Sequence, residues 1–372
     1  MSVLSPFVQE QVDNHLKQFH DYDQAVTCVA GWHYLLKEMP QYQPFTRHFE
    51  WFPRVECNGQ EKTPDFTALL IRGGILGEIK ASLPRDDSAF DSELRQIAAY
   101  TEVTKLPTHD GSWSEPTHID VVLLVQDACA DEVAQRVIDR CSDPSHWFKP
   151  QKRPIVMAYF FTQEYGNTRF VMRRVQLQGN GEFGRMQTNP EGEDLYYYLC
   201  EKKGSIRLRP EAWADTKAKY MIMNDAPPPI FCGTFLWQYI IRYAMSAKGY
   251  RPDLMRSSVY FPVEISAAEI SNRIRNDVLY NNALSIRLIR NGLQFLCEAD
   301  LADVAVPDSD TVTVRLQPGI GAKSGVRGAA GEPVDVAREL AIRHAKAAFA
   351  KKGRARRSAP GTTANLVLPL DL

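Results

Sequence analysis

The stretch TPDFTALLIRGGILGEIKAS, residues 63–82, decides how this chain folds. Two apolar, β-favouring runs, Phe66 to Ile71 and Ile75 to Ile79, flank Gly73-Gly74, and this pattern predicts a tight β-hairpin. With Arg72-Gly73 as the turn, Asp65 lies opposite Lys80 and diagonal to Glu78. Cross-strand neighbours then stand about 5 Å apart and diagonal ones about 7–8 Å. With Gly73-Gly74 as the turn the register slips, yet Asp65, Glu78 and Lys80 still share one face. Only an odd-length loop would send Asp65 to the other side. Alternation turns Ile79 away from the acids, together with Phe66, Ala68, Leu70, Ile75 and Ala81, so the hairpin has an apolar back. Two carboxylates and an amine on its other face suit a hard divalent cation and a phosphodiester.

Pro64, Asp65, Glu78 and Lys80, so arranged, resemble the PD-(D/E)xK nuclease superfamily, the fold of many restriction enzymes and Holliday-junction resolvases. The resemblance implies that Asp65, Glu78 and the Ile79 carbonyl bind Mg²⁺, with Mn²⁺ as a substitute, and that Lys80 stands beside the attacking water. The residue types suit that chemistry. Mg²⁺ takes oxygen ligands and keeps several waters. A lysine near a scissile phosphate offsets the charge that develops in the transition state. The flanking pattern also resembles the superfamily core. A helix (about Asp23 to Met39) and a strand (about His48 to Glu56) precede the hairpin, and a helix (about Ser88 to Lys105) and a strand (Ile119 to Val125) follow it. The expected fold class is therefore α/β, a restriction-endonuclease-like mixed sheet flanked by helices with an αβββαβ core.

Three auxiliary residues extend the resemblance. Gln96 and Tyr100 lie four apart, hence on one helical face, and resemble a Q-x-x-x-Y pattern that helps position DNA or the active site in a branch related to recombination exonucleases. The alternative makes Tyr100 a core aromatic and Gln96 a surface residue. Glu38 is the candidate for the extra acid that the family often carries on its first helix. Its place just before Pro40 equally suits a solvated helix end, and Asp21, Asp23 and Glu50 are rivals.

At 372 residues the chain is long enough for two or three domains, and 44% hydrophobic with 24% charged residues is the composition of a soluble globular protein. No apolar run approaches a membrane span, and the N-terminus lacks a signal-peptide pattern. Seven cysteines are scattered without a C-x-x-C pair, which reads as reduced thiols in a cytoplasmic protein. The net charge of −1 decides nothing about nucleic acid. Its distribution says more, because Lys and Arg outnumber acids from Gly321 to Leu372.

The sequence divides into a nuclease-like domain (1–178), a connecting region (179–229), a winged-helix-like domain (230–318), and a glycine-rich linker with a basic tail (319–372). PIVMAYFFTQ and TRFVMRRVQLQ, either side of an EYGN turn, read as a hairpin that extends the first sheet. The run Ala226-Pro227-Pro228-Pro229 marks a boundary. Beyond it, an apolar helix, the strand VYFPVEI, a helix capped by Ser266, the helix LSIRLIRNGLQFLCEADL and a wing hairpin in VAVPDSDTVTVRL follow in order. Arg287, Arg290 and Asn291 on the later helix are the candidates for DNA contact, although such helical shapes also dock proteins. GIGAKSGVRGAAG lacks the spacing of a Walker A loop, which argues against ATP use.

The expected function is Mg²⁺-dependent hydrolysis of DNA phosphodiesters, restriction-like, in defence against foreign DNA. RNA is not excluded. DNA repair or recombination, or a regulatory protein that binds nucleic acid without cutting, are the alternatives. One site per chain implies a homodimer or a partner subunit for double-strand cutting.

Overall fold

The computed structural model describes residues 4–38, 43–71, 73–80, 83–150, 154–164, 167–175, 206–208, 227–248, 261–277, 286–304, 311–316 and 333–358. The chain forms two compact units. One holds Asp21–Ala226 with Asn276–Asn282, the other Met1–His20, Pro227–Arg275 and Ala283–Leu372. Among the described residues no helix is long and apolar enough to cross a membrane.

The first unit is built on a seven-stranded mixed sheet. Its elements in chain order are helix α1 (Pro6–His33, of which residues from Asp21 on belong here), β1 (Thr46–Trp51), a small hairpin of β2 (Val55–Cys57) and β3 (Gln60–Lys62), β4 (Phe66–Leu70), β5 (Gly74–Lys80), α2 (Asp87–Thr101), β6 (Leu106–Pro107), β7 (Trp113–Ser114), β8 (Ile119–Gln126), α3 (Asp127–Ser142), β9 (Ile155–Glu164), β10 (Asn167–Arg174) and β11 (Ile206–Leu208). The sheet order is β1-β4-β5-β8-β9-β10-β11. β5, β8 and β9 run parallel and the remaining pairs antiparallel. Parallel neighbours need crossovers, and α2 and α3 supply them.

The alternation of the strands explains the layering. On one face Leu76, Val121, Leu123, Val125 and Val156 pack with Phe90, Leu94 and Ile97 of α2 and Val133 and Val137 of α3. On the opposite face Phe66 lies 5.4 Å from Trp32 of α1 and 5.3 Å from Phe49 of β1, ring centre to ring centre. All of these side chains are buried, and each contributes roughly 1.5–3 kcal/mol by leaving water.

β4 and β5 do pair, but Phe66 faces Gly77 and Leu69 faces Gly74, a tighter register than either turn considered. The Leu70 N–H closes it on the Gly73 carbonyl at 2.8 Å. The glycines serve side-chain packing. A Cβ on Gly73 would stand 2.6 Å from the His118 ring, and one on Gly74 would stand 2.3 Å from Leu106 Cδ1. Helix α1 begins at Pro6, not near Asp23, and ends in a π-helical turn, Tyr34–Glu38. The strand expected over His48 to Glu56 breaks at Phe52, after which Asn58-Gly59 turns a separate hairpin with φ +51° and +75°. Positive φ at both central residues is the reason Asn-Gly suits such a turn. Glu164 pairs with Asn167 where the EYGN hairpin was expected. Most of 179–226 lies outside the described residues, as does the glycine-rich stretch 319–331.

The second unit contains α4 (Pro229–Lys248), β12 (Phe261–Ser266), α5 (Ala267–Asp277, of which residues to Arg275 belong here), α6 (Ile286–Glu298), β13 (Ala302–Val304), β14 (Thr311–Leu316) and α7 (Pro333–Ser358), together with the first residues of α1. Its sheet is antiparallel with order β12-β14-β13. The Ser266 hydroxyl accepts the Glu269 N–H at 3.0 Å and so starts α5. Helix α6 turns Leu288, Ile289, Leu293 and Leu296 inward. Gly292 lets it approach α4, because a Cβ there would stand 3.0 Å from the Cys232 backbone.

Candidate active site

The two ends of the hairpin meet at Asp65, which precedes β4. Phe66 pairs with Gly77, and the Asp65 N–H also reaches the Gly77 carbonyl at 3.0 Å. Two residues thus oppose one, the count of a β-bulge, a device that re-aims a side chain at the end of a ladder. The Asp65 carbonyl accepts the Phe52 N–H at 2.9 Å. Its side-chain Oδ2 accepts the Ile79 N–H at 2.6 Å. Asp65 is therefore gripped from β1 on one side and β5 on the other. Phe52 itself stands at φ +47°, a region that costs a bulky residue of order 1–3 kcal/mol and persists only where neighbours impose it.

Glu78 and Lys80 leave β5 on the side covered by α2. Glu78 is 5% exposed. Its Oε1 takes Lys80 Nζ at 2.9 Å and Gln96 Nε2 at 3.0 Å. Its Oε2 is buried and accepts no well-formed hydrogen bond from the described residues. The Tyr100 hydroxyl acts on that carboxylate, and the hydroxyl in turn accepts Gln96 Nε2 at 2.7 Å. Lys80 Nζ further reaches Gln96 Oε1 at 3.2 Å and Glu93 Oε2 at 2.9 Å.

The position of α2 rests on polar staples. Asp86 caps it by accepting the Ala89 N–H at 2.9 Å. Asp87 pairs with Arg136 at 3.0 Å and Arg140 at 2.6 Å of α3, and Arg140 also holds Asp91 at 3.0 Å. Glu93, Gln96 and Tyr100, spaced three and four apart, then share the face that looks onto β5.

Electrostatics follow from burial. Desolvation, and after it the Glu78 carboxylate, raise the Asp65 carboxyl well above its ordinary range against the pull of the Ile79 N–H. Desolvation also raises Glu78, against the Lys80 ammonium. Burial pulls Lys80 down, but Glu78 and Glu93 outweigh it and its net direction is up. Burial, then Glu78, raise the Tyr100 phenol. Two buried acids beside one amine form a site that gains by taking in positive charge.

The structure brings together Asp65, Glu78, Ile79, Lys80, Gln96 and Tyr100 from the sequence reading. Glu93 was missed, although its spacing from Gln96 and its charge opposite Lys80 were readable. Glu38 ends the π-helical turn and is exposed, outside this network. Glu50 pairs with His48 at 3.3 Å. The Asp23 carbonyl accepts the Thr27 hydroxyl at 2.7 Å. Of the first-helix acids, Asp21 acts electrostatically on the buried Tyr159 hydroxyl, as Asp65 does, after burial itself and Cys28. Arg287 and Arg290 lie exposed on α6, with Asn291 half-buried beside them.

Asp65, Glu78 and the Ile79 carbonyl are oxygen donors of the kind Mg²⁺ prefers, and the open Glu78 Oε2 fits such a cation. Among the described residues no cluster of three or more His, Cys, Asp or Glu side chains gathers as a metal cage, so water and substrate oxygens would complete the coordination. Comparison of the chain with protein-family models, with curated proteins and with solved structures gave no match.

Proposed function

We propose that this protein is a Mg²⁺-dependent nuclease acting on DNA, with Asp65, Glu78 and the Ile79 carbonyl as cation ligands and Lys80 beside the attacking water. The observation that carries the reading is the buried Oε2 of Glu78, which takes no well-formed hydrogen bond, next to a second buried carboxyl and an ammonium. A buried acceptor left open costs about 1–3 kcal/mol unless something fills it. When bound, Mg²⁺ would supply Lewis acidity toward water and the phosphate oxygens. Within the chain, the Ile79 N–H fixes Asp65 and Gln96 fixes Glu78. Lys80 supplies positive charge and N–H donors where charge develops on the phosphate.

The second unit is proposed to be a winged helix that contacts DNA through Arg287, Arg290 and Asn291 of α6. Its order of elements and its β12-β14-β13 sheet support this reading. A dimer, or a partner subunit, would let one site per chain cut both strands.

Incubating supercoiled plasmid and structured RNA with the protein, in Mg²⁺ or in EDTA, tests the reading. Cutting of DNA in Mg²⁺ only, lost in both Asp65→Asn and Lys80→Ala, is the expected result. RNA cutting alone would reassign the substrate, and cutting that survives both substitutions would place the chemistry elsewhere. Arg287→Ala with Arg290→Ala should weaken plasmid binding; unchanged affinity would favour a protein-docking role.

A further inference from the structure

Lys80 is saturated. An ammonium offers three N–H donors, and its Nζ has three acceptors: Glu78 Oε1 at 2.9 Å, Glu93 Oε2 at 2.9 Å and Gln96 Oε1 at 3.2 Å. With all three engaged, the amine has nothing left to give to a water or a phosphate oxygen. One of the three bonds must open before Lys80 can take part in the chemistry proposed above, and this inference rests on that reading.

The geometry indicates which bond opens. The second oxygen of Glu78 is buried and accepts no well-formed hydrogen bond, so a cation that took it as a ligand would not have to displace the lysine from Oε1. Glu78 would share its charge with a bound cation, and its bond from Lys80 would weaken accordingly, since an opposite charge nearby is what holds that ammonium. Glu93 lies farther out, its side chain 34% exposed against 6% for Glu78. It comes from the helix, not from the strand that carries the ligands.

We propose that Glu93 is a positioning residue that keeps Lys80 tethered to α2 when a divalent cation engages Glu78, so that cation binding frees one lysine proton for water or phosphate while the amine stays in place. Glu93 also shares the lysine charge that otherwise competes for Glu78, and so strengthens cation binding. An ordinary surface ion pair would do neither, since such pairs contribute little.

The test uses the full chain and Mn²⁺, read by electron paramagnetic resonance of the free ion without nucleic acid, alongside plasmid cleavage at saturating Mn²⁺. Glu93→Gln should weaken Mn²⁺ binding about 10-fold and lower kcat about 10-fold or more, in the range of losses seen when a residue supporting metal ligands is removed. KM for plasmid should hold within about twofold, because the tether acts after binding. Glu93→Asp, which keeps the charge, should recover part of both losses, and Glu132→Gln on the exposed side of α3 should change neither. Wild-type protein that binds Mn²⁺ and cuts, with Glu93→Gln indistinguishable from it, overturns the tether and leaves the nuclease reading standing. Wild-type protein that binds Mn²⁺ without cutting, with binding weakened by Glu93→Gln, overturns the nuclease reading and the release of Lys80 with it, and leaves only the support that Glu93 gives to cation binding. Absence of Mn²⁺ binding by the wild type overturns both.

Discussion

The Gln96 amide nitrogen lies 2.7 Å from the Tyr100 hydroxyl, one helical turn further along α2. Glu78, which only accepts, and Lys80, which only donates, fix which way the amide faces: nitrogen toward Glu78, oxygen toward Lys80. A single uncharged side chain thus serves the acid and the amine at once, with Tyr100 fully buried behind it.

Replacing Gln96 by Leu should therefore harm function more than stability. Glu78 and Lys80 would each lose a partner while the helix keeps its packing. We expect Mn²⁺ affinity and cleavage to fall about 10- to 100-fold. The melting temperature should drop by only a few degrees, as befits a loss of about 1 kcal/mol. Titration with Mn²⁺ and thermal unfolding of the same preparation check both halves.

Asp65→Asn should raise the stability of the cation-free protein while abolishing cation binding. Asparagine can still accept the Ile79 N–H, which Asp65 Oδ2 takes at 2.6 Å, and it removes a buried charge beside Glu78. Neutralising such pairs stabilises by about 1 kcal/mol, at a functional cost. Urea unfolding in EDTA should show the midpoint move up; a midpoint that moves down would mean the two acids do not oppose one another.

Gly77→Ala isolates the sheet from the chemistry. A Cβ there would stand 1.9 Å from Phe66 Cε1, on the side of the sheet away from Glu78. The expected loss is about 3 kcal/mol, the upper end for overpacking. Shortening the opposing ring with Phe66→Leu should restore part of it, as measured by urea unfolding of the double variant.

The second unit should respond to acid through His15. Burial, then His344, push its imidazole down to about 4, against the upward pull of Glu298. His15 Nε2 lies 3.0 Å from His344 Nδ1, and His344 Nε2 lies 3.1 Å from Glu298, on which Lys351 also acts. A folded value below the ordinary 6.5 means that the unfolded chain takes up the proton first. The stabilisation is therefore complete above pH 6.5 and is lost as the pH falls toward 4. His15→Gln should flatten that decline by about 1 kcal/mol, a figure reduced for the partial exposure of the ring. Unfolding free energies at a series of pH values give the slope directly.

The hairpin residues were legible because strand alternation is a local rule. Glu78 and Lys80 stand on one face as a period of two places them, and a register error by an even step does not move a residue to the other face; Asp65 joins them across an irregular end of the ladder that alternation does not foretell. Gln96 and Tyr100 were legible for the matching reason in helices. The turn was misread because Gly73-Gly74 looked like a bend. The space taken by His118 and Leu106, which these glycines leave free, depends on residues more than thirty positions away. Glu93 was overlooked because its partner, Lys80, is reached across the sheet-to-helix crossover. Helix α3 is an element the sequence expectations lack, although Val133, Ala134 and Val137 mark its inner side. The long start of α1 was read only for targeting, and its first residues pack in the other unit.

The left-handed backbone at Phe52 has one more consequence. Its amide is what the Asp65 carbonyl leans on, and an isolated chain would not hold a phenylalanine at φ +47°. Only after β1 and β4 have zipped together does that anchor exist. A partly assembled molecule, or one fraying along this edge, would have the right acids in roughly the right place and still lack aim. On the proposed function, such a molecule would stay silent without any inhibitor.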